Sequence, residues 1–474
     1  MFAQKHLLFL LLAAALLSLP TACKEPLEPP PGNGGPADRC PPLTRVIPQD
    51  LPLEELLDKV QRQTLGYFWD FAEPNSGMAR ERNTSGHLVT TGGTGFGIMA
   101  MIAGVERGWL EREEVLQRMV RIAEFLRDAD RFHGAWSHWI DGRNGSALPF
   151  SALDDGGDLV ETAFLVQGLI AAREYFDLDH PTETYLRELV DELWHGVDWT
   201  WYTRGQNVLY WHWSANHGFA MNMGIRGWHE AMIVYVLAAA SPTHPIQPEV
   251  YHQGWAGNGN MRNGRYFYDL RLPLGPDYGG PLFFAHYSFL GLDPRGLMDQ
   301  YADYWEQNRN HTLINHRYAI ANPNDYCHYS DSLWGLTASD DPEVGYQAHA
   351  PFDRDNGTIT PTAALSSMPY TPEESIRALN TFYYYLYDDL WGDYGFRDAL
   401  NFEHNWFASS YLAIDQGPIV VMIENYRSGL LWEVFMRNEE VGVGLQRLGF
   451  YYSDEKQNTG MSTKEIPWTT ITEH

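Results

Sequence analysis

The chain has 474 residues, of which 44% are apolar and 20% charged, an ordinary globular composition that argues against general disorder. Its 61 acidic residues outnumber 33 basic ones, and the net charge of −28 disfavours nucleic acids, anionic membrane surfaces and acidic polymers as partners. Aromatic residues make up 14% of the chain, including 17 Trp. Such rings bind the C–H faces of sugars, so neutral carbohydrates remain as candidate ligands.

The first residues predict export. Residues 1–22 are typical of a signal peptide, because an apolar run too short to span a bilayer is followed by small residues. Cys23 comes next, which predicts a lipoprotein cleavage box with a lipid anchor on that cysteine; secretion without a lipid is the alternative. Residues 23–48 are rich in Pro and Gly and predict a stiff linker. We expect a monomer held at a bacterial membrane, in the periplasm or on the cell surface, through the lipid alone.

The remaining cysteines and histidines do not indicate a cofactor. Cys40 and Cys327 could form a disulfide, but two cysteines make no disulfide scaffold and the unpaired state is favoured. His229-Glu230 begins an H-E-x-x-H pattern, which fails because Ile occupies position 233. We therefore expect neither a metal ion nor another cofactor.

Residues 49–474 contain no second linker, which predicts a single domain in which two kinds of helix alternate. A helix that is apolar on all faces is buried, whereas an amphipathic helix covers a core. The amphipathic segments are Leu53–Phe71, Glu111–Arg131, Thr182–Trp199, Gly296–His316, Pro372–Leu390 and Tyr426–Met436. The apolar or short segments between them are Gly95–Glu106, Asp158–Tyr175, Gly224–Ala240, Gly280–Leu290, Ser332–Leu336 and Gly417–Glu424. Six such pairs predict an all-α (α/α)6 toroid of six inner and six outer helices; a globular bundle is the alternative.

Long loops rich in Gly, Trp and Asp precede the inner helices, and we expect them to form a groove at one end of the toroid. They comprise residues 73–94, 132–157, 200–223, 255–279, 317–331, 337–371 and 391–416. Gly95-Phe-Gly97-Ile-Met-Ala resembles a dinucleotide-binding motif but follows a polar loop instead of a buried strand. The two glycines therefore indicate close helix packing.

Carboxylates cluster where this groove is expected. Asp154, Asp158 and Glu161 converge on the start of an apolar helix. Asp158 at the N-cap with Glu161 three residues later also fits a capping box, so capping is the alternative for both residues. Glu230 is predicted well inside an apolar helix, where it is either a cavity-facing acid with a raised pKa or the partner of Arg226.

Asp415 precedes the last apolar segment, where it is either catalytic or a helix cap. Aromatic and histidine side chains share the same loops, and we expect a subset of them to bind sugar. These candidates are Trp136, Trp139, Trp211, Trp213, His212, His217 and Trp406.

Three long runs resemble the glycoamylase-like family: YWHWSANHGFAMNMGIRGWHEAMIVYVLAAASPTHPI (210–246), DNGTITPTAALSSMPYTPEES (355–375) and YLAIDQGPIVVMIENYRSGLLWEVF (411–435). Over residues 51–448 the likeness is greatest to bacterial β-1,2-glucanases of glycoside hydrolase family 144. The resemblance implies an (α/α)6 fold, frequent lipidation, inversion at the anomeric carbon, and either endo cleavage or exo release of sophorose.

The resemblance also implies that the family's important acids are Asp154, Asp158, Glu161, Glu230 and Asp415, without assigning the acid and the base. The sequence thus predicts an exported glycoside hydrolase of neutral β-1,2-glucan or its oligosaccharides. The alternatives are an α-glucosidic hydrolase of glucoamylase type on the same fold, and a surface lipoprotein that binds glycans without cutting them.

Overall fold

The structure is a computed structural model that describes residue 40 and residues 42–453. Cys23, the predicted signal peptide 1–22 and most of the predicted linker 23–48 lie outside the described residues. Within the described ranges, none of the helices combines the length and the hydropathy needed to cross a membrane.

Helices account for the largest part of the described fold, in agreement with the sequence. They are α1 (Leu53–Trp69), α2 (Thr91–Glu106), α3 (Arg112–Asp128), α4 (Leu159–Tyr175), α5 (Pro181–His195), α6 (Met232–Ala240), α7 (Tyr304–Ala321), α8 (Pro361–Leu365), α9 (Pro372–Tyr385), α10 (Tyr387–Leu390), α11 (Ala413–Arg427), α12 (Leu430–Phe435) and α13 (Glu439–Arg447). Two short 3-10 turns, Leu282–Ala285 and Tyr287–Phe289, stand where the apolar segment 280–290 is predicted.

The buried elements follow one another in a closed series. Helix α2 packs between α4 and α11, α4 packs on α6, and α6 packs on the turn Tyr287–Phe289. On the other side α11 packs on α8, and the ring of His286 lies 2.9 Å from the hydroxyl of Ser367, just after α8. The amphipathic helices cover this series from outside: α1 covers α2 and α11, α5 covers α4, α7 covers Leu282–Ala285, and α9 covers α8.

Glycines permit the tightest of these contacts, as the sequence predicts. A Cβ atom on Gly95 would lie 2.1 Å from the carbonyl oxygen of Phe164, and one on Gly168 would lie 2.2 Å from that of Gly95. The backbones of α2 and α4 therefore touch at this crossing. The interpretation of the Gly95 motif as close packing is confirmed.

Three helix predictions need correction. The segment 224–240 is helical only from Met232, because Gly227 has φ +81° and turns the chain before the helix. Residues 332–336 form no helix, and the buried helix of that region is α8, inside the predicted loop 337–371. Helix α11 begins at Ala413, so Asp415 lies in its first turn instead of before it.

Short strands connect the loops that precede the buried helices. The strands are β1 (Leu88–Thr90), β2 (Trp139–Asp141), β3 (Ala147–Leu148), β4 (Gly157–Asp158), β5 (His212–Trp213), β6 (Arg262–Phe267), β7 (Leu270–Leu274), β8 (Leu297–Met298), β9 (Ala338–Asp341), β10 (Gly345–Ala348), β11 (Thr358–Ile359), β12 (Trp391–Gly392), β13 (Gly395–Phe396), β14 (Leu400–Asn401), β15 (Trp406–Phe407) and β16 (Tyr451–Tyr452). Antiparallel pairing forms the sheets β1–β2–β3, β4–β5 and β11–β14–β15, and a bridge joins Arg82 to Leu412. These pairings join the starts of α2, α4, α8 and α11 into one surface.

Cys40 and Cys327 form a disulfide, with their Cα atoms 5.4 Å apart, so the expectation of unpaired cysteines is wrong. The bond connects the start of the domain to the loop after α7. The two residues are 287 positions apart in sequence, and a separation of this size carries no sign that the fold brings them together.

Candidate active site

Asp158 is the N-cap of α4, and its carboxylate is fully engaged. Oδ1 accepts hydrogen bonds from the backbone N–H groups of Val160 and Glu161, both at 2.9 Å. Oδ2 accepts from the indole Nε1 of Trp211 at 3.1 Å and lies 3.3 Å from Nδ1 of His138. Asp158 therefore caps the helix, as the capping alternative predicts, and in addition orients two side chains of the site.

Glu161 does not complete a capping box. Its Oε2 accepts a hydrogen bond at 2.7 Å from the backbone N–H of Gly92, in the first turn of α2. A Cβ atom at position 92 would lie 2.6 Å from this oxygen, so a larger residue there would displace the carboxyl group from its present position. Burial raises the pKa of Glu161, although the nearby His138 opposes the rise. The carboxyl group is thus held between two buried helices in an environment that favours its protonated form.

His138, which the sequence analysis did not single out, supplies a positive charge to this group of acids. Its Nε2 lies 4.0 Å from Oε1 of Glu161, and its ring stacks on Phe150 with centroids 4.0 Å apart. Burial opposes the charged form, but the carboxylates of Glu161 and Asp158 raise the pKa of His138 to about 9. The only sign in the sequence is its place between two of the candidate tryptophans.

Asp154 completes the first cluster. It is buried, and Nε2 of His212 lies 3.4 Å from its Oδ1. Burial and the charge of Asp158 raise the pKa of Asp154. In the described part of the chain, His138, Asp154 and Asp158 offer ligand atoms within 4.8 Å of one another, a spacing that could hold a metal ion. The hydrogen bonds of Asp158 already use both of its oxygens.

Glu230 lies in the turn that precedes α6, so its predicted place well inside a helix is wrong. Its carboxylate is partly exposed and lies 3.2 Å from Nδ1 of His229. The neighbour of Glu230 is therefore His229, and not Arg226 as the alternative predicts. The His229 ring stacks over Trp211 at a centroid distance of 5.9 Å. Trp211 therefore connects Glu230 to the cluster around Asp158.

Asp415 is buried in the first turn of α11, where the N-cap residue is Leu412, so the expectation of a cap is wrong. Two further acids that the sequence analysis missed accompany it. The carboxyl group of Asp398 lies beside that of Asp415, and the backbone N–H of Asp340 donates to Oδ2 of Asp398 at 2.6 Å. Arg82 forms an ion pair with Asp340 at 3.1 Å. Single acids in irregular loops carry no motif that would have revealed them.

The three acidic groups are close enough to one buried tyrosine for their charges to act on it. Burial raises the pKa of the Tyr287 hydroxyl well above its usual value, and the charges of Asp415, Glu230 and Glu161 add to this rise. Carboxylates that are far apart in the sequence therefore converge on one region, at the joined starts of the buried helices. This is the arrangement that acid–base chemistry on a bound ligand requires.

Comparison with known proteins identifies the family. The Glycoamylase family model, described as "Putative glucoamylase", matches residues 222–439. The crystal structure of an endo-β-1,2-glucanase from Chitinophaga pinensis is 51% identical, with a TM-score of 0.83, and the match covers 85% of this chain and 99% of that one. The chain belongs to the glycoamylase-like family.

Two relatives from Parabacteroides distasonis support this assignment. A β-1,2-glucanase structure is 45% identical, with a TM-score of 0.83, over 84% of this chain and 60% of that one. An exo β-1,2-glucooligosaccharide sophorohydrolase is 46% identical over 83% of this chain. The match spans 58% of the length of that curated relative.

The candidate aromatic residues of this glycoamylase-like protein fall into different environments. Trp136 is fully buried, its Nε1 donates to the carbonyl of Leu126 at 2.9 Å, and the Arg131 guanidinium lies 4.2 Å from its ring. Trp136 is a core residue, and its prediction as a sugar platform is wrong. The chain passes from buried to partly exposed within residues 136–139, and Trp139 is partly exposed and packs on Phe150.

Of the other candidates, only His212 is buried; the rest are partly or fully exposed to solvent. His212 is buried beside Asp154 and is part of the acidic cluster. Trp213 is partly exposed next to it on β5, and His217 is exposed, 3.8 Å from Asp155. Trp406 is partly exposed on β15. Trp211 and Trp213 are therefore the best-placed rings for contact with a sugar.

We expect Trp213→Ala to raise KM by about tenfold, equivalent to ~1.4 kcal/mol of binding, with a small effect on the melting temperature. Trp136→Ala is the matched comparison and is expected to lower the free energy of unfolding by about 3–5 kcal/mol through loss of core packing. Steady-state kinetics and thermal unfolding of both variants check this. Unchanged kinetics with a large fall in melting temperature for Trp213→Ala would place that ring in the core instead.

Proposed function

We propose that the protein hydrolyses β-1,2-glucan or its oligosaccharides. The observation that carries the proposal is that three acids lie in one region of the fold. Glu161 accepts a hydrogen bond from the backbone of Gly92, the next residue Gly93 packs on Ala413 at the start of α11 near Asp415, and the backbone carbonyl of Glu230 accepts the hydroxyl of Ser288 next to Tyr287. The relatives named above, two of them β-1,2-glucanases and one a sophorohydrolase, support the choice of linkage. The net charge of −28 favours a neutral polymer over an acidic one.

The chemistry follows from the environments of these acids. Hydrolysis with inversion needs one carboxylic acid to protonate the leaving oxygen and one carboxylate to activate a water on the opposite face of the sugar. Burial favours the protonated form of Glu161 and Asp415, whereas Glu230 is partly exposed and accessible to a ligand. We propose that the acid and the base are among these three residues, and that Asp158 and His138 orient them.

The proposed fold is an (α/α)6 toroid. Its six inner elements are α2, α4, α6, the turns Leu282–Ala285 and Tyr287–Phe289 taken together, α8 and α11. The closed series of contacts among them supports this architecture, and the loops that β-strands join at their starts form the glucan-binding groove. One inner element is reduced to 3-10 turns, so the ring is less regular than the sequence predicts.

The test is incubation of the protein with linear β-1,2-glucan, laminarin and maltooligosaccharides, with the products and their anomeric configuration followed by NMR. We expect cleavage of β-1,2-glucan with inversion and no cleavage of the other two. Glucose release from maltooligosaccharides with β-1,2-glucan intact would favour a glucoamylase-type activity. Retention of the glucan without cleavage would favour a binding protein.

We also propose export, with a lipid anchor on Cys23 and no other attachment to the membrane. The Cys40–Cys327 disulfide supports export, because such bonds persist in oxidising compartments. Cys23→Ser is expected to move the protein from the membrane fraction to the soluble fraction, whereas Cys40→Ser is expected to leave it membrane-bound. The anchor is refuted if the native chain and the Cys23→Ser variant fractionate alike. A monomer is proposed, to be checked by sedimentation.

A further inference from the structure

The acids around Asp415 differ in how their charges are compensated. Asp340 on β9 is ion-paired with Arg82 at 3.1 Å, and its Oδ2 accepts a hydrogen bond from the hydroxyl of Ser410. Arg82 also pairs with Glu81 at 2.9 Å, so one guanidinium lies between two carboxylates. Asp340 therefore has both a cation and a hydroxyl donor, and its negative charge is stabilised.

Asp398 and Asp415 have no comparable partner. Asp398 is 5% exposed and Asp415 is 3% exposed. Within residues 42–453, Oδ1 of Asp398 and both side-chain oxygens of Asp415 accept no hydrogen bond from an N–H or hydroxyl group. Two buried carboxylates in contact cannot both be ionised at moderate cost, and a hydrogen bond between them requires a proton on one of them.

Other groups around Asp415 do not supply that proton. Thr362 donates its hydroxyl to the backbone carbonyl of Asp415, at 2.8 Å, and not to the carboxylate. Tyr287 and Tyr346 are close enough to Asp415 for its charge to act on them, and burial followed by this charge raises the pKa of each hydroxyl. Both tyrosines are therefore neutral, and Arg82 is the cation that acts on the pair, from its place beside Asp340.

We propose that Asp398 is a positioning residue that shares one proton with Asp415 and thereby sets the orientation and the protonation of the Asp415 carboxyl group. The shared proton directs one oxygen of Asp415 towards Asp398 and leaves the other without a donor among the described residues, and the pair carries a single negative charge. The inference deepens the proposed function, because it assigns the pH at which Asp415 becomes available for the reaction. Burial raises the pKa of both residues, and the charge of Asp340 adds to the rise; Asp398 further raises the pKa of Asp415, whereas Asp415 lowers that of Asp398.

The decisive variant is Asp398→Asn, which keeps the size of the side chain and can donate a hydrogen bond to Asp415 but cannot share a proton. Removal of the competing carboxyl group lowers the pKa of Asp415. We expect the limb of the kcat/KM profile that Asp415 sets, measured on whichever glucan the native protein hydrolyses, to move to lower pH by about one unit or more; this is the acidic limb when Asp415 is the base and the basic limb when it is the acid. A parallel loss of activity at every pH, with the limb unmoved, would mean that Asp398 is only structural and would overturn the proposal.

A second measurement needs no substrate and separates this inference from the proposed function. An acid whose pKa is raised on folding binds more protons in the folded state, so stability falls as the pH rises from about 4 towards the raised pKa. We expect this fall, followed by denaturant unfolding, to be smaller in Asp398→Asn than in the native chain. An identical pH dependence of stability in the two proteins would overturn the proposal even if the native enzyme hydrolyses β-1,2-glucan.

Asp299→Asn is the matched control. Asp299 is also buried, but it accepts hydrogen bonds from the hydroxyl of Tyr251 at 2.7 Å and from the backbone of Tyr301 at 2.8 Å, away from the acidic cluster. We expect this variant to retain both the limb that Asp415 sets and the pH dependence of stability of the native chain. If Asp299→Asn moved them as far as Asp398→Asn does, the effect would be a general consequence of removing a buried acid, and the proposal would fail.

Discussion

Glu230→Gln is expected to lower kcat on linear β-1,2-glucan by about 10²-fold or more, because loss of a general acid or base costs typically ~10²–10⁴-fold in rate. The amide has the size of the carboxylate but cannot transfer a proton. The turn before α6 does not depend on this side chain, since the backbone carbonyl of Glu230 accepts the hydroxyl of Ser288. The melting temperature is therefore expected to stay close to that of the native chain.

Glu249→Gln provides the control, because Glu249 is an exposed acid beyond α6 and is expected to be neutral in both assays. Steady-state kinetics and thermal unfolding of both variants decide the question. A Glu230→Gln enzyme as active as the native one would make this carboxylate structural. Proton transfer would then have to be sought between Glu161 and Asp415.

Asp158→Asn is expected to lower kcat by about 10²-fold as well, for a different reason. Asn is a good N-cap, and its oxygen can still accept the backbone N–H groups of Val160 and Glu161. Its NH₂ group, however, would face the N–H donor of Trp211 and the imidazolium of His138. Displacement of these side chains is enough for such a loss, since an error of 1 Å in positioning can cost about 10²-fold. The opposed donors should also lower stability by about 1–3 kcal/mol.

Asp303→Asn isolates the contribution of the cap. Asp303 caps α7 with the same geometry, its Oδ1 accepting from the backbone N–H groups of Trp305 at 2.9 Å and Glu306 at 3.0 Å. We expect Asp303→Asn to be nearly neutral in stability and fully active. Equal behaviour of the two variants in kinetics and denaturant unfolding would reduce Asp158 to a helix cap.

Local pattern predicted the helices well where one face, or every face, of a segment is apolar. The buried α2 and α4 and the amphipathic α1 were placed to within a few residues, because burial of a helix demands apolar side chains at known intervals. The acids at the start of α4 were identified for a similar reason, since charges at the end of a buried helix are costly and uncommon. The cap on α4 and the close packing at Gly95 likewise follow from neighbouring residues alone.

Prediction failed where the path of the backbone, and not the apolar pattern, decides a residue's environment. The run from Gly224 to Ala240 is apolar throughout, so its composition cannot show that Gly227 turns the chain and leaves Glu230 before the helix. Trp136 looked like the other loop tryptophans, but Arg131 and the α3 backbone enclose its ring.

By itself, the sequence determined the alternation of buried and covering helices, the long loops at their starts, and five of the acids in the site. Only the tertiary structure decided which groups are paired: His138 lies beside Glu161, Asp398 lies beside Asp415, and Cys40 forms a disulfide with Cys327. Periodicity reports which side of a segment is buried, because that depends on neighbours a few residues away. Pairing depends on how separate segments of the chain meet, and only the folded chain brings them together.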